Sequence, residues 1–398
     1  LWRHKRRTWL TTTAMIFSNV LLIFMISLQF GSYDMMISNT LQAFSGHIQV
    51  QHEGYNDNPK LRRSIPAVVP LAAELRSALP GARIAARGAA FALVSSELRS
   101  LGVQIIGVEP EYEPMVSTLP GLVKEGHFLQ DSFAAEIVIG SVLARNLKVT
   151  VGDELTLLGS GRDGSFAAGV VTVTGIFASG SGDMDRNLAE VPLHYFQEIF
   201  AMRDHGHSIA VAVDELSAVP SALAAVENKI RGKDNLTALD WPQLHPGLKQ
   251  AIQADLSSAW FMYGLLIILV AFSVLNTQLM SVLERTREFG VITALGIKPR
   301  KLASLVMLET ALMALLGLVI GLVIGWMIAA YLNTAGFHYP GMEEMAEKFN
   351  LPDRVYPSVT FFSMILGPSV VFLFCLLAAI YPALRLFRLQ PVEAMRAV

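Results

Sequence analysis

Four stretches of the chain are almost continuously apolar: residues 10–30, 260–283, 302–332 and 359–384. A helix of about 20 apolar residues crosses the hydrocarbon layer of a bilayer. The pattern therefore predicts four transmembrane helices. A basic run precedes the first, as in a signal peptide, but the chain continues GSYDMMISNT with no small-residue cleavage site. That span is read as uncleaved.

Between the first and second spans the pattern changes. GHIQVQ (46–51) alternates as a half-buried strand does. VVPLAAELRSAL (68–79) has helical spacing with Pro70 near its start. ARIAARGAAFALVSS and LRSLGVQIIGVEP read as strands. Residues 135–159 read as strand, short helix and strand, with Gly152-Asp153 as a turn. A strand at 167–178, one within 207–214, a helix at 218–230 and a last strand at 236–241 complete the set. The fold class is an α-helical membrane protein with four transmembrane helices and a large α/β extracytoplasmic domain inserted between helices 1 and 2. The expected divisions are 1–39, 40–255 and 256–398, and the insert has length for two lobes.

Composition agrees with a membrane protein: 53% of residues are hydrophobic and only 16% charged, against about 25% charged in soluble domains. A net charge of −2 gives no field that would favour nucleic acid. The charges are placed unevenly. Arg3, Lys5, Arg6 and Arg7 precede the first span; Arg285, Arg287, Lys298, Arg300 and Lys301 separate the second and third; Arg385, Arg388 and Arg396 follow the fourth. The other short loop, 333–358, carries Lys348 and Arg354 against Glu343, Glu344, Glu347 and Asp353. The positive-inside rule then puts both termini and the 284–301 loop in the cytoplasm and the large domain outside.

Motifs for chemistry are missing from the sequence. The one Gly-Lys pair, Gly232-Lys233, is followed by Asp234, so no Walker A loop is formed. There is no His-Glu-x-x-His and no Gly-x-Ser-x-Gly. His205 and His207 flank Gly206 and read as polar loop residues rather than metal ligands. GSGRDGS (159–165) and SGSGDMD (179–185) read as loop tips; neither opens a clear helix, as a phosphate site would. No catalytic residue, bound cofactor or metal is expected. Glu309 is the one acid within a span, close enough to its basic end to pair there. Gly317, Gly321 and Gly325 recur every fourth residue and mark a face for close helix packing.

The loop ERTREFGVITALGIKPRKL (284–302) has helical spacing up to about 296, with Gly296 as a left-handed stop and Pro299 opening the third span. Glu284, Arg285, Arg287 and Glu288 crowd its start, while Phe289, Ile292 and Leu295 share a face. With Gly290 and Val291, this reads as an amphipathic helix offered to a protein groove.

This loop resembles that of the FtsX/MacB/LolC–LolE permeases, the mechanotransmission ABC transporters. The basic elbow WRHKRRTWLTTTAMIFSN, the segment VIGSVLARNLKVTVGDELTL and the tail YPALRLFRLQPVEAMRAV are also similar, in the family's order. The resemblance implies a permease subunit in a bacterial inner membrane, paired with a second copy or a paralogue. A separate cytoplasmic ABC ATPase, LolD-like or MacB-like, would bind ATP and Mg. It would couple through Glu284, Arg285, Arg287, Glu288, Phe289, Gly290, Ile292, Leu295 and Gly296. On the Lol-like branch the cargo is a lipoprotein passed to a periplasmic acceptor. Its acyl chains, or membrane lipids, would meet Leu28, Phe30, Met35 and Met36 on the first span and Trp260, Phe261 and Tyr263 on the second. A MacB-like efflux role, an FtsX-like control of cell-wall hydrolases and an anchored scaffold are the alternatives.

Overall fold

The computed structural model describes residues 5–338, 340–342 and 354–388. Arg3, the charges at 343–353 and the tail PVEAMRAV, which entered the orientation and resemblance arguments, lie outside them. Met36–Lys249 forms one compact unit, and the remaining length of the four long helices belongs to a second.

Helices Lys5–Thr40, Pro246–Glu284, Pro299–Ala335 and Phe361–Arg385 contain the four apolar stretches. The first two have 36 and 39 residues. At 1.5 Å per residue they reach about 54 and 58 Å, nearly twice a hydrocarbon core. Their polar ends continue the helix because hydropathy limits the membrane segment, not the hydrogen-bond ladder.

The other three membrane helices pack round the first. Met15, Leu22 and Ile26 sit among Tyr263, Ile267, Val270 and Val274 of the second helix, Ala314 of the third and Val371 and Cys375 of the fourth. Gly317, Gly321 and Gly325 are buried on the third helix. A Cβ added at these positions would lie 2.8 Å from Met15, 2.6 Å from Asn19 and 2.8 Å from Ile23. The first helix thus lies against the bare backbone of the third, and Asn19 Nδ2 donates to the carbonyl of Gly317 at 3.2 Å. Thr360 and Ser363 cap the fourth helix reciprocally, and Ser363 also meets Ser27 of the first at 3.3 Å.

The other unit is built on ten strands, β1 (Ile48–His52), β2 (Arg83–Ser95), β3 (Ser100–Val108), β4 (Val123–Gly126), β5 (Glu136–Gly140), β6 (Glu154–Ser160), β7 (Phe166–Phe177), β8 (Leu188–Pro192), β9 (Ser208–Ala212) and β10 (Leu236–Asp240). They run in the order β10-β1-β9-β2-β3-β8-β5-β7-β4, with β6 bridging β2 and β7. The pairings β2–β3–β8–β5–β7–β6–β2 therefore close on themselves. The thirteen residues of β2 make this possible: Arg83–Arg87 pair with β9, Arg87–Ser95 with β3 and Leu93–Ser95 with β6. Helices Val68–Ala78 and Val219–Ile230 bury Leu71, Leu75, Val226 and Ile230 in the main core. Gly152 takes φ +98° at the β6 turn, and Asp153 accepts from Thr150 N at 2.7 Å.

SGSGDMD differs from its reading as an open loop. A short helix, Gly182–Asn187, begins inside it. Asp185 is buried and accepts from Ser179 N at 2.9 Å and from Ser141 Oγ at 3.2 Å, so the segment is fastened by its own carboxylate.

Candidate functional site

The connection between the second and third membrane helices is a helical hairpin. Helix Thr286–Ala294 follows Glu284 after a single-residue break at Arg285. Gly296 takes φ +93°, which ends the helix where a side chain would be strained. Lys298 is extended, as the residue before proline tends to be, and Pro299 occupies the first turn of the next helix.

The face this helix turns inward corrects the expected one. Phe289 is only 1% exposed, packed with Val282 of the second helix, Leu302, Ala303 and Val306 of the third, and Ala383 and Leu386 beyond it. Gly290 is buried too, and Ile292 is half-buried against the same cluster. Neither Phe289 nor Gly290 is free to enter a partner's groove. The reason is physical: a large aromatic next to three apolar helix ends gains more from closing their common core than from standing in water. Arg285 locks the arrangement. Its guanidinium lies 3.4 Å from Glu309 and 3.4 Å from Glu288, and stacks 4.9 Å from the Phe289 ring centroid. Glu309 therefore belongs to the hairpin.

What the hairpin exposes is the remainder of the expected set, joined by Val291 and Ile297. Glu284, Arg287 and Glu288 are exposed, with Val291, Leu295 and Ile297 as apolar points between them. Leu295 is 80% exposed. Gly296 is exposed beside it.

The residues named at the outer ends of the first two spans separate in the same way. Tyr263 is 4% exposed, and its hydroxyl donates to Gln29 Oε1 at 2.5 Å. It is a link between helices, which corrects its reading as a cargo contact. Gln29 Nε2 donates to Asp255 Oδ2 at 2.8 Å, and the Tyr33 hydroxyl donates to the same oxygen at 2.7 Å. A polar clamp thus joins the first and second helices. No sequence pattern pointed to it, because Gln29 and Asp255 stand alone in their own segments. Phe30 is half-buried, edge-on to Tyr33 and Phe362 at 6.2 Å each. Leu28 and Met35 are half-buried, Met36 and Trp260 are exposed, and Phe261 is 72% exposed.

A buried charge cluster in the sheet unit was also hidden from sequence reasoning. Arg87 of β2 donates through Nε to Glu113 Oε2 at 2.9 Å and through Nη2 to Glu113 Oε1 at 2.5 Å. Its Nη1 donates to the carbonyl of Phe44, whose ring lies 4.4 Å from the guanidinium. Phe44 sits in a π-helical turn, Leu41–Ser45, that ends the first long helix. Glu190 of β8 is fully buried, and neither carboxylate oxygen has a hydrogen-bond partner among the described residues. Burial holds its carboxyl well above the usual range, the Glu113 charge adds to this, and Arg87 opposes it.

His207, in the bend just before β9, is fully buried, which differs from its reading as a polar loop residue in water. Its Nδ1 accepts from Ala89 N at 2.9 Å and its Nε2 faces the carbonyl of Leu61 at 3.2 Å. Burial lowers it to about 4. His205 pairs instead with Asp204, at 2.9 Å.

Four long apolar helices with a short helical hairpin between the second and third, and a large strand domain in chain order between the first and second, define a multi-pass membrane protein of the permease type. Residues 8–229 match the family model for the MacB-like periplasmic core domain, and residues 260–391 match that for the FtsX-like permease C-terminal region. The chain belongs to this family and is an ABC transporter permease of the LolC/LolE/MacB/FtsX type. It is 25% identical to the lipoprotein-releasing system transmembrane protein LolC of Xylella fastidiosa, over 73% of this chain and 72% of that one. LolC of Neisseria meningitidis is 24% identical over 77% and 75%. LolE of Haemophilus influenzae is 26% identical over 76% and 74%.

Proposed function

We propose that this permease couples a separate cytoplasmic ATPase to the release of lipoproteins from the inner membrane. The observation that carries the reading is that relatives named for lipoprotein release align along about three quarters of both chains, through membrane and strand regions alike. The basic segments support an orientation with the termini and hairpin in the cytoplasm and the strand domain outside. ATP and Mg then bind the partner subunit, which docks on the exposed side of the hairpin. Arg287 and Glu288 supply charge there, and Val291, Leu295 and Ile297 supply apolar contacts. Buried Phe289 and Arg285 transmit rather than touch: a push on the helix is passed to the second, third and fourth membrane helices through their shared core. The first helix then moves with the third, whose glycine row leaves no slack between them. Phe261, Trp260 and Met36 are the exposed residues suited to acyl chains.

A second reading, efflux with a periplasmic adaptor, is favoured by the match to the MacB-like core domain. Affinity purification of the full chain from its native membrane, with nucleotide-trapped ATPase, separates the two. Co-purification of an ATPase and acylated lipoproteins supports release. An ATPase with an adaptor and an outer-membrane channel moves the assignment to efflux. Recovery without any ATPase removes the coupling claim.

A further inference from the structure

The β6–β7 turn, GSGRDGS, does not cradle an anion with its backbone. Gly161 N, Arg162 N, Gly164 N and Ser165 N are all engaged, by Ser165 O, Phe200 O, Gly161 O and the Asp163 carboxylate. The turn instead brings a side chain to a cavity. Arg62, Arg162 and Arg203, from three separate segments, line a cavity of about 390 Å³ together with Asp163 and Ala201. That volume is in the range of small-ligand sites.

Three features mark this as more than a cluster of surface arginines. First, Arg162 Nε is buried and has no hydrogen-bond partner among the described residues. A buried guanidinium donor left unmatched costs the desolvation of a charged group. Second, the wall holds two non-glycine residues in the left-handed region, Ala201 at φ +52° and Arg203 at φ +57°. Such backbone is costly and persists where the surroundings impose it. Here Met202, fully buried between them, donates its N–H to Gln197 O at 2.8 Å, and Gln197 Nε2 donates to His205 O at 3.0 Å. Third, the charge is unbalanced. Asp163 is the single acid on the wall, and its carboxylate already accepts from Ser165 N at 2.8 Å. Arg62 is held across the cavity mouth by its Nε, which donates to the carbonyl of Arg162 at 3.4 Å.

We propose that this cavity is a binding site for a phosphate group, with Arg162 as its anchor and Arg62 and Arg203 as flanking donors. A guanidinium offers paired N–H groups in a plane that matches two oxygens of a phosphate, and three of them meet a dianion from separate directions. His207 lies close enough to Arg162 to feel its charge, yet is neutral at pH 7 and adds none. The lining residues all belong to the strand unit, and the proposal does not rest on the lipoprotein reading. The phosphate could be a free anion or the headgroup of a phospholipid; the chemistry at the arginines is the same.

The test uses the full chain in nanodiscs of zwitterionic lipid. Inorganic phosphate and short-chain phosphatidylglycerol, kept below its micelle concentration, are titrated separately by isothermal calorimetry. Wild-type protein is expected to bind at least one of them saturably. Arg162→Met should weaken that binding tenfold or more, the worth of one charged hydrogen bond. The exposed variants Arg62→Gln and Arg203→Gln, which leave the core untouched, should each weaken it severalfold, and Arg162→Lys should recover part of the loss. Binding of phosphate alone assigns a free anion, and binding of the lipid alone or more tightly assigns a headgroup. No saturable binding of either ligand, or binding that all four variants retain unchanged, overturns the proposal.

Discussion

Arg87, Glu113 and Glu190 place three ionisable groups in the interior of the strand unit with one positive charge between them. Removing the cation strands Glu113 without a partner. Arg87→Met is expected to cost about 3–5 kcal/mol, the usual loss on breaking a buried ion pair, read from denaturant melts of the purified chain. Glu190 works with the opposite sign. Its carboxyl is raised in the folded state, so its contribution is fully present below the unfolded value near 4.5 and is lost as pH rises towards the folded one. Glu190→Gln should therefore raise stability at pH 7 and leave it nearly unchanged at pH 4. His207 is depressed from 6.5 to about 4. Its contribution is full above 6.5 and falls away between there and about 4, by roughly 3 kcal/mol. Protonation of Nδ1 removes the acceptor of the Ala89 amide. Hydrogen exchange at Ala89, corrected for its intrinsic rate, should accelerate across that window. None of this was legible in the sequence, where Arg87, Glu113 and Glu190 lie far apart and meet only because β2, β8 and the short helix Glu113–Val116 come together in the fold.

At the scale of elements, hydropathy was enough for the four membrane helices and alternation for most of the long strands. Short strands such as β4 and β8 gave no pattern long enough to read. The hairpin shows a different limit. Periodicity placed Phe289, Ile292 and Leu295 on one side of a helix, but the structure buries Phe289 and leaves Leu295 exposed past the helix end at Ala294; a period says neither where a helix stops nor which side faces the protein. The two sides now predict different outcomes. Leu295→Asp changes an exposed position and should leave the fold intact while reducing stimulation of the partner ATPase at least tenfold. Phe289→Ala should empty part of the core shared by three helices, costing about 3–5 kcal/mol, and lower the yield of folded chain. Size-exclusion profiles beside ATPase rates distinguish the two. Gly321→Leu tests the contact of the first and third helices. Its side chain would start within 2.6 Å of Asn19 Cβ, so Gly321→Leu should force the two helices apart and lower the yield of folded chain, read from size-exclusion profiles, while Gly321→Ala should do so less.

Across the whole molecule, the sequence patterns and the family matches agree on an ABC transporter permease. The membrane unit is tied internally by the glycine row, the polar clamp of Gln29, Tyr33, Asp255 and Tyr263, and the core beneath the hairpin. The first and second helices run unbroken well past their apolar stretches. A helix without a break carries displacement along its axis, which suits the coupling to a partner ATPase proposed above. The most direct test is a release assay. The full chain, with the ATPase and permease partner that co-purify with it, is reconstituted in proteoliposomes holding a triacylated lipoprotein. ATP and a soluble periplasmic acceptor are added, and lipoprotein in the supernatant is measured. The account predicts ATP-dependent release that Leu295→Asp abolishes. ATP hydrolysis at full rate with all lipoprotein still in the membrane would contradict it.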